Sequence, residues 1–395
     1  MTDEGGCMLL KGMKVLDLSS LLPGPFCSLM LASLGAEVIK VEAVGGGDPM
    51  RQMIGGLFAF LNRNKKSIAL NLKSEKGKEI FFRLAKGCNV ILEGFRPGVV
   101  KRLGVDYESV KKVNPEIIYC SVSGYGQAGP YADVPGHDLN YQGVAGLLSI
   151  SGNIDSPPEA VSGIQVADIC GTMFSLSSIL AAYCCYLKEK KGTYIDVSMT
   201  DGLFAWMGPR ICEWLAQGRP DKRTFMARGS YGAFRTRDGK YITLGTVETH
   251  FWENFCRLIG RSDLAVEKYT TWEGRNKHSE EIRPIMEKAI GEKDRGEWLK
   301  LCTENNIPVA PVNALSEVDA DPHLVWRGLV EKNLPGGYFV QPFPVKFSEK
   351  EGVDLSPTPE LGEHTQVLLR ELGYGEEEMA SMEREKVIQV GKGNS

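Results

Sequence analysis

Along the first third of the chain the apolar positions follow two alternating rhythms. Short runs that are apolar throughout, or apolar at every second position, fall at Lys14–Leu18 (KVLDL), Glu37–Glu42 (EVIKVE), Ser67–Leu72, Asn89–Leu92 and Ile117–Val122, and these predict strands. Helical stretches separate them. One covers Phe26–Leu34, entered through Pro23-Gly24-Pro25 and stopped by Gly35; another runs from Ser74, a suitable N-cap, to Ala85 and ends at Gly87; a third lies past Pro97. Strand and helix in turn predict βαβ units, hence an α/β fold with a parallel sheet covered by helices. The longest apolar stretch, Thr172 to Leu187, contains three serines and falls short of the roughly 20 residues that a membrane span needs. It reads as a core helix.

After Arg219 the pattern changes. Ser230–Gly245 predicts a hairpin with Asp238-Gly239 at its turn, and helical stretches follow from Phe251 to about Asn305. This predicts a large domain from residues 1–220 and 330–395 and a smaller α+β domain from residues 221–329. The proline-rich segments at 308–311 and 335–345 read as connections back to the large domain, and residues 360–390 as charged helix.

Composition narrows the function classes. With 46 basic and 50 acidic residues the formal net charge is -4, which argues against a nucleic-acid partner bound through a bulk basic surface. No P-loop occurs. Ten cysteines form no C-x-x-C pair, and the histidines show no metal-ligand spacing, so no metal is expected. The N-terminus shows neither the basic nor the apolar region of a secretory signal; reduced thiols in the cytoplasm and no membrane association are the expectation. Glycine is the outlier, 45 of 395 residues, where about 7% is usual; that excess points to tight turns and backbone approaching a ligand.

Gly124-Tyr125-Gly126-Gln127-Ala128-Gly129 matches G-x-G-x-x-G after a predicted strand, but Pro130 and a turn-forming segment follow where a dinucleotide site needs a helix. His137 and Asp138 stand in the loop beyond. Asp168 begins the apolar helix, where a carboxylate can cap the helix end or face a substrate. His137 and Asp168 together would make a proton-transfer pair, with backbone N–H groups at the start of the Asp168 helix as oxyanion donors. Glu248 ends a predicted strand of the smaller domain. Arg63, Lys65, Lys66, Lys73, Arg96, Lys101 and Arg102 are either a solvated face or an anion site beside strand ends.

Several segments resemble the class III CoA-transferase family, which includes formyl-CoA and carnitine-CoA transferases and 2-methylacyl-CoA racemases. They are Leu22–Pro25, Leu34–Glu42, Asn62–Ser67, Leu70–Lys73, Glu93–Gly98, Ser123–Pro130, Ile195–Met199 and Leu361–His364. The resemblance implies an acyl-CoA substrate, no tightly bound cofactor, a Rossmann-like large domain built from both ends of the chain with a small domain between, and an interlinked homodimer whose active site joins the large domain of one subunit to the small domain of the other. It also implies CoA contacts at Leu70, Lys73, Gly94, Phe95 and Arg102. Ala43 stands where the family often has arginine, so another basic residue must meet the CoA phosphates. Asp168 matches the family's catalytic aspartate, the nucleophile in transferases and an acid/base in racemases. Gly136-His137-Asp138-Leu139-Asn140-Tyr141 resembles the racemase histidine motif, and Glu248 a supporting racemase glutamate. Ala167-Asp168-Ile169-Cys170 looks more like the transferases. The first expectation is therefore a 2-methylacyl-CoA racemase; the alternatives are a CoA transferase using Asp168 covalently and a non-catalytic CoA-binding subunit.

Overall fold

The five short runs, joined by a sixth segment near residue 195, become six parallel strands in the computed structural model, which describes residues 8–159, 163–330, 341–348 and 356–391. They are β1 (Lys14–Asp17), β2 (Glu37–Glu42), β3 (Lys65–Leu70), β4 (Val90–Glu93), β5 (Ile118–Ser123) and β6 (Thr193–Ser198), ordered 3-2-1-4-5-6 across the sheet. β1 pairs with both β2 and β4, so the strand order reverses there, the Rossmann arrangement that opens a crevice beyond the carboxyl ends of β1 and β4.

Period-two alternation divides the sheet's residues between two cores. Leu16, Ile39, Ile68 and Ile91 join Ile80, Phe81 and Leu84 of the helix Glu75–Lys86. Val15, Val38, Val90 and Leu92 join Cys27 and Leu31 of the helix Pro23–Ser33 and Cys170, Leu176 and Ile179 of the helix Val166–Glu189. Ser74 caps the helix Glu75–Lys86 as expected, its Oγ accepting from Gly77 N at 3.0 Å. The Val166–Glu189 helix has 24 residues and, by length and composition alone, is the one described helix apolar enough to cross a membrane; one of its faces is buried in the second core.

Contacts divide the chain into two units, Met1–Leu148 with Ala160–Gly208 and Leu329–Ser395, and Ser149–Glu159 with Pro209–Gly328. In the second unit the expected hairpin forms as β7 (Tyr231–Arg235) and β8 (Tyr241–Gly245), with Gly239 in the left-handed region at φ +78°. Phe234, Ile242 and Leu244 pack against Trp252, Phe255 and Trp298.

Two expectations are corrected. Residues 308–311 are not a connection: Val309–Pro311 is β9, paired antiparallel to β8, its single proline tolerated on a sheet edge. The charged tail does not stay helical. After helices Thr365–Glu371 and Glu376–Arg384, Ile388–Gln389 adds antiparallel to β3, covering that edge of the large sheet. Most of the 335–345 segment lies outside the described residues.

Candidate active site

A cavity of about 270 Å³ occupies the crevice at the reversal point. Ser20, Leu21 and Pro23 after β1, Gly94–Pro97 after β4, and Ser123–Tyr125 at the end of β5 form its walls, with His137, Tyr141, Asp168 and Met199. Close backbone approach explains the glycine loop. A Cβ on Gly124 would stand 2.3 Å from the Tyr141 ring, and one on Gly136 2.8 Å from it; the Tyr141 hydroxyl donates to Gly136 O at 2.5 Å. No helix opens at 124–129. The next begins at Asp138, so the G-x-G-x-x-G match is a packing feature rather than a phosphate turn.

Asp168 sits in the first turn of the Val166–Glu189 helix, but it does not cap it. That task falls to Asp138, whose Oδ1 accepts from Ala167 N at 2.7 Å while its Oδ2 accepts from Gln142 Nε2 at 2.5 Å. Asp168 is left with no hydrogen bond from any described residue to its carboxylate. Burial pushes the Asp168 carboxyl up to about 7, and the nearby Asp138 charge adds to the rise. Of the oxyanion donors expected at this helix start, Ala167 N is committed to Asp138, and Ile169 N bonds Gln165 O at 2.9 Å.

Beneath the cavity's β1 side lies a buried charge network. Lys65 Nζ donates to Asp17 Oδ2 at 3.1 Å, Lys40 Nζ lies 2.9 Å from Asp48 Oδ2, and Arg51 grips Glu42 with two bonds of 2.8 Å. Burial alone would raise the Asp17 carboxyl, yet Lys65, Lys40 and the Ser19 and Ser28 hydroxyls hold it well below the usual carboxylate range. Burial lowers Lys65 in turn, to about 8. On the β4 side, Glu93 accepts from Phe95 N at 2.8 Å through Oε2, whereas Oε1 has no partner; burial pushes this carboxyl up to about 7.

Residues 10–365 match the sequence profile of CoA-transferase family III. The chain belongs to that family. It is 33% identical to an acetyl-CoA:oxalate CoA-transferase of Acetobacter aceti, over 92% of this chain and 96% of the other. A succinyl-CoA:glutarate CoA-transferase of Mus musculus is 34% identical, over 92% and 86%. Among solved structures, a CAIB/BAIF family protein from Brucella suis superposes with a TM-score of 0.81 at 30% identity, over 92% of this chain and 99% of that one.

In this CoA-transferase family III chain, the structure brings together only some of the residues singled out by sequence. His137, Asp168, Gly94 and Phe95 line the cavity. Asp138 stands behind it, holding two helices. Lys73 and Arg102 are exposed and outside the lining, and the Leu70 side chain is sealed in the core at 1% exposure. Glu248 is an exposed residue at the start of the helix Thr249–Leu258, in the other unit. The basic cluster is not one anion site. Lys65 is buried against Asp17, Lys66 pairs with Glu37 at 2.6 Å, and Arg63 turns inward to the carbonyls of Phe60 and Gln341. Only Arg96 of that cluster lines the cavity, and it makes no ion pair with a described residue. Sequence reading missed the roles of Asp17, Lys40, Asp48 and Glu93; for Asp17, Lys40 and Glu93 a charged residue inside an otherwise apolar strand was the available signal, whereas Asp48 lies in the loop after β2 and gave none. Among the described residues there is no group of three or more potential metal ligands, and nine cysteines are free.

Proposed function

We propose that this chain is a CoA transferase that moves CoA between carboxylic acids through covalent chemistry at Asp168. The observation that carries it is an unpaired carboxylate, raised to about 7 yet without a capping duty, on the wall of a cavity at the sheet's reversal point. Near neutral pH a large share of such a group is ionised, and it has little solvation to shed before attack.

In the reaction, Asp168 attacks the donor thioester carbonyl and expels CoA thiolate, leaving an aspartyl–acyl anhydride. The thiolate then attacks the aspartyl carbonyl, releasing the donor acid and leaving an aspartyl-CoA thioester. An acceptor carboxylate reverses these steps and departs as its CoA thioester, with Asp168 regenerated. No net proton or electron is consumed. Arg96, which pairs with no carboxylate among the described residues, is available to an anionic group of the substrates. CoA contacts at Lys73, Gly94, Phe95, Arg102 and the Leu70 main chain, and a site completed by a second copy carrying Glu248, belong to the same proposal. Exposed Met173, Leu187, Phe204 and Trp206 on the helices Val166–Glu189 and Met199–Ala216 supply apolar surface that a second copy would cover. Free thiols suit a cytoplasmic setting.

The relatives cited above are transferases acting with oxalate or glutarate, which favours this reading over the racemase and makes dicarboxylic acids the first acceptors to test. The racemase remains the second reading because His137 and Asp168 line one cavity. Incubation with acetyl- or succinyl-CoA and a panel of dicarboxylates should yield acceptor-dependent CoA transfer and an adduct trapped on Asp168. Exchange of the α-hydrogen of a chiral 2-methylacyl-CoA in D2O without any transfer would overturn it in favour of the racemase. Tight CoA binding with no turnover would indicate the non-catalytic subunit.

A further inference from the structure

Leu21, on the cavity wall, holds a backbone conformation that leucine avoids. Its φ is +64°, in the left-handed region where a Cβ crowds the neighbouring carbonyl. Such an outlier persists only where its surroundings impose it. Here they are identifiable. Leu21 N donates to Asp48 Oδ1 at 3.3 Å, and the carbonyl of Ser19, two residues earlier, accepts from Lys40 Nζ at 2.9 Å. Lys40 and Asp48 pair with each other at 2.9 Å, each with its side chain 1% exposed. Asp48 is fixed in turn, its own N–H donating to Glu42 Oε2 at 3.0 Å.

A buried ion pair is a poor source of stability, because taking two charges out of water offsets most of their attraction. This pair ends on the two backbone groups that flank a strained turn, and the turn lines the cavity that Asp168 lines. Ser19 is also packed on Gly24, where a Cβ would lie 2.2 Å from its own, so the turn cannot slide toward the following helix.

We propose that Lys40 and Asp48 are positioning residues: their buried pair holds Ser19–Leu21 in the left-handed turn, and that turn sets where the acyl-CoA thioester lies relative to the Asp168 carboxylate. This rests on the cavity being the acyl-CoA site. Neither residue touches substrate. Their effect is expected in the rate of the covalent step and not in the affinity for CoA.

The test uses the full-length protein and succinyl-CoA, following Asp168 adduct formation in a single turnover alongside CoA affinity by calorimetry. Asp48→Ala removes both the pair and the acceptor for Leu21, whereas Asp48→Asn keeps the acceptor, and Lys40→Met removes the cation and the donor to Ser19 O but leaves the acceptor for Leu21. Misplacing the thioester should slow adduct formation at saturating substrate by about 10–100-fold in Asp48→Ala, and by less in the other two, with the Kd for CoA within about threefold of wild type. Adding Leu21→Gly to Asp48→Ala should recover at least about fivefold of the rate, because glycine adopts the turn without being forced. Folded variants that acylate Asp168 at the wild-type rate overturn the proposal, as does a Leu21→Gly addition that restores the melting temperature but not the rate. If Asp48→Ala does not fold, Asp48→Asn and Lys40→Met carry the test. If wild-type protein forms no adduct but exchanges the α-proton of a 2-methylacyl-CoA, the transferase reading fails. The same variants then report positioning through the exchange rate.

Discussion

Two buried carboxylates at neighbouring strand ends behave in opposite ways. Asp17 closes β1 and Glu93 closes β4; their exposures are 0% and 1%. Asp17 meets Lys65, Lys40 and two hydroxyls and is held well below its ordinary range, while Glu93 meets one backbone N–H and the nearby Ser121 hydroxyl but no cation, and burial raises it to about 7. Burial is the same and the partners differ. Asp168 falls on the side of Glu93, and both lie at or beneath the cavity wall. On the β1–β2–β3 side the charges are neutralised and serve as scaffold; on the β4–β5 side they are left unsatisfied, where chemistry can use them.

Removing a member of each class should separate the two roles. The largest effect is expected for Asp168→Ala: transfer should fall by at least ~10³-fold, with no adduct by mass spectrometry and a melting temperature equal to or above wild type, since an unpaired buried carboxylate is lost. A large drop in stability instead would place Asp168 with the scaffold. Lys65→Met should do the reverse, lowering unfolding free energy by about 3–5 kcal/mol in urea titrations because it strands Asp17, and Lys65→Met with Asp17→Leu should recover much of that loss.

The pH dependence separates the classes too. The Asp168 carboxyl binds its proton more tightly folded, at about 7, than unfolded, near its ordinary 3.8. Its contribution therefore destabilises the fold increasingly as pH rises across that window. Asp17 and Glu42, lowered in the fold, contribute stability that is present above their unfolded pKa and lost as pH falls through the folded one. Urea unfolding against pH should show an acid limb and a neutral limb, and Asp168→Asn should reduce only the latter, leaving the part that Glu93 contributes. The adduct-forming rate should rise with pH through about 7 as Asp168 ionises, and a rate that falls over that interval would contradict nucleophilic attack. The smallest effect is expected for Glu93→Gln: stability within about 1 kcal/mol of wild type at pH 5, with a gain that grows as pH rises towards about 7 and levels off above it.

Much of this fold could be read from pattern. β1, β2, β4 and β5 were visible within a residue or two because their apolar runs are bounded by Gly, Pro and Ser, and Ser74 capped the helix it was expected to cap. The edge strand Ile388–Gln389 was not visible; two residues carry no periodicity, and their pairing with β3 spans more than 300 positions of chain. The site divided in a similar way. Asp168 and His137 stood out by motif and do line one cavity, yet local sequence could equally have made Asp168 the helix cap. Asp138, 30 residues earlier, takes that role and leaves Asp168 free. Lys65 was counted among basic residues available to an anion because its partner, Asp17, lies 48 positions away on a strand that is not its immediate neighbour in the sheet.

By itself, then, the sequence determined the βαβ order, the family, and the residue types capable of thioester chemistry, since those depend on local periodicity and contiguous motifs. Only the tertiary structure decided which charges are neutralised and which are not. A carboxylate's reactivity depends on the cations and donors that strand order carries to it, and in a 3-2-1-4-5-6 sheet those come from positions far away along the chain.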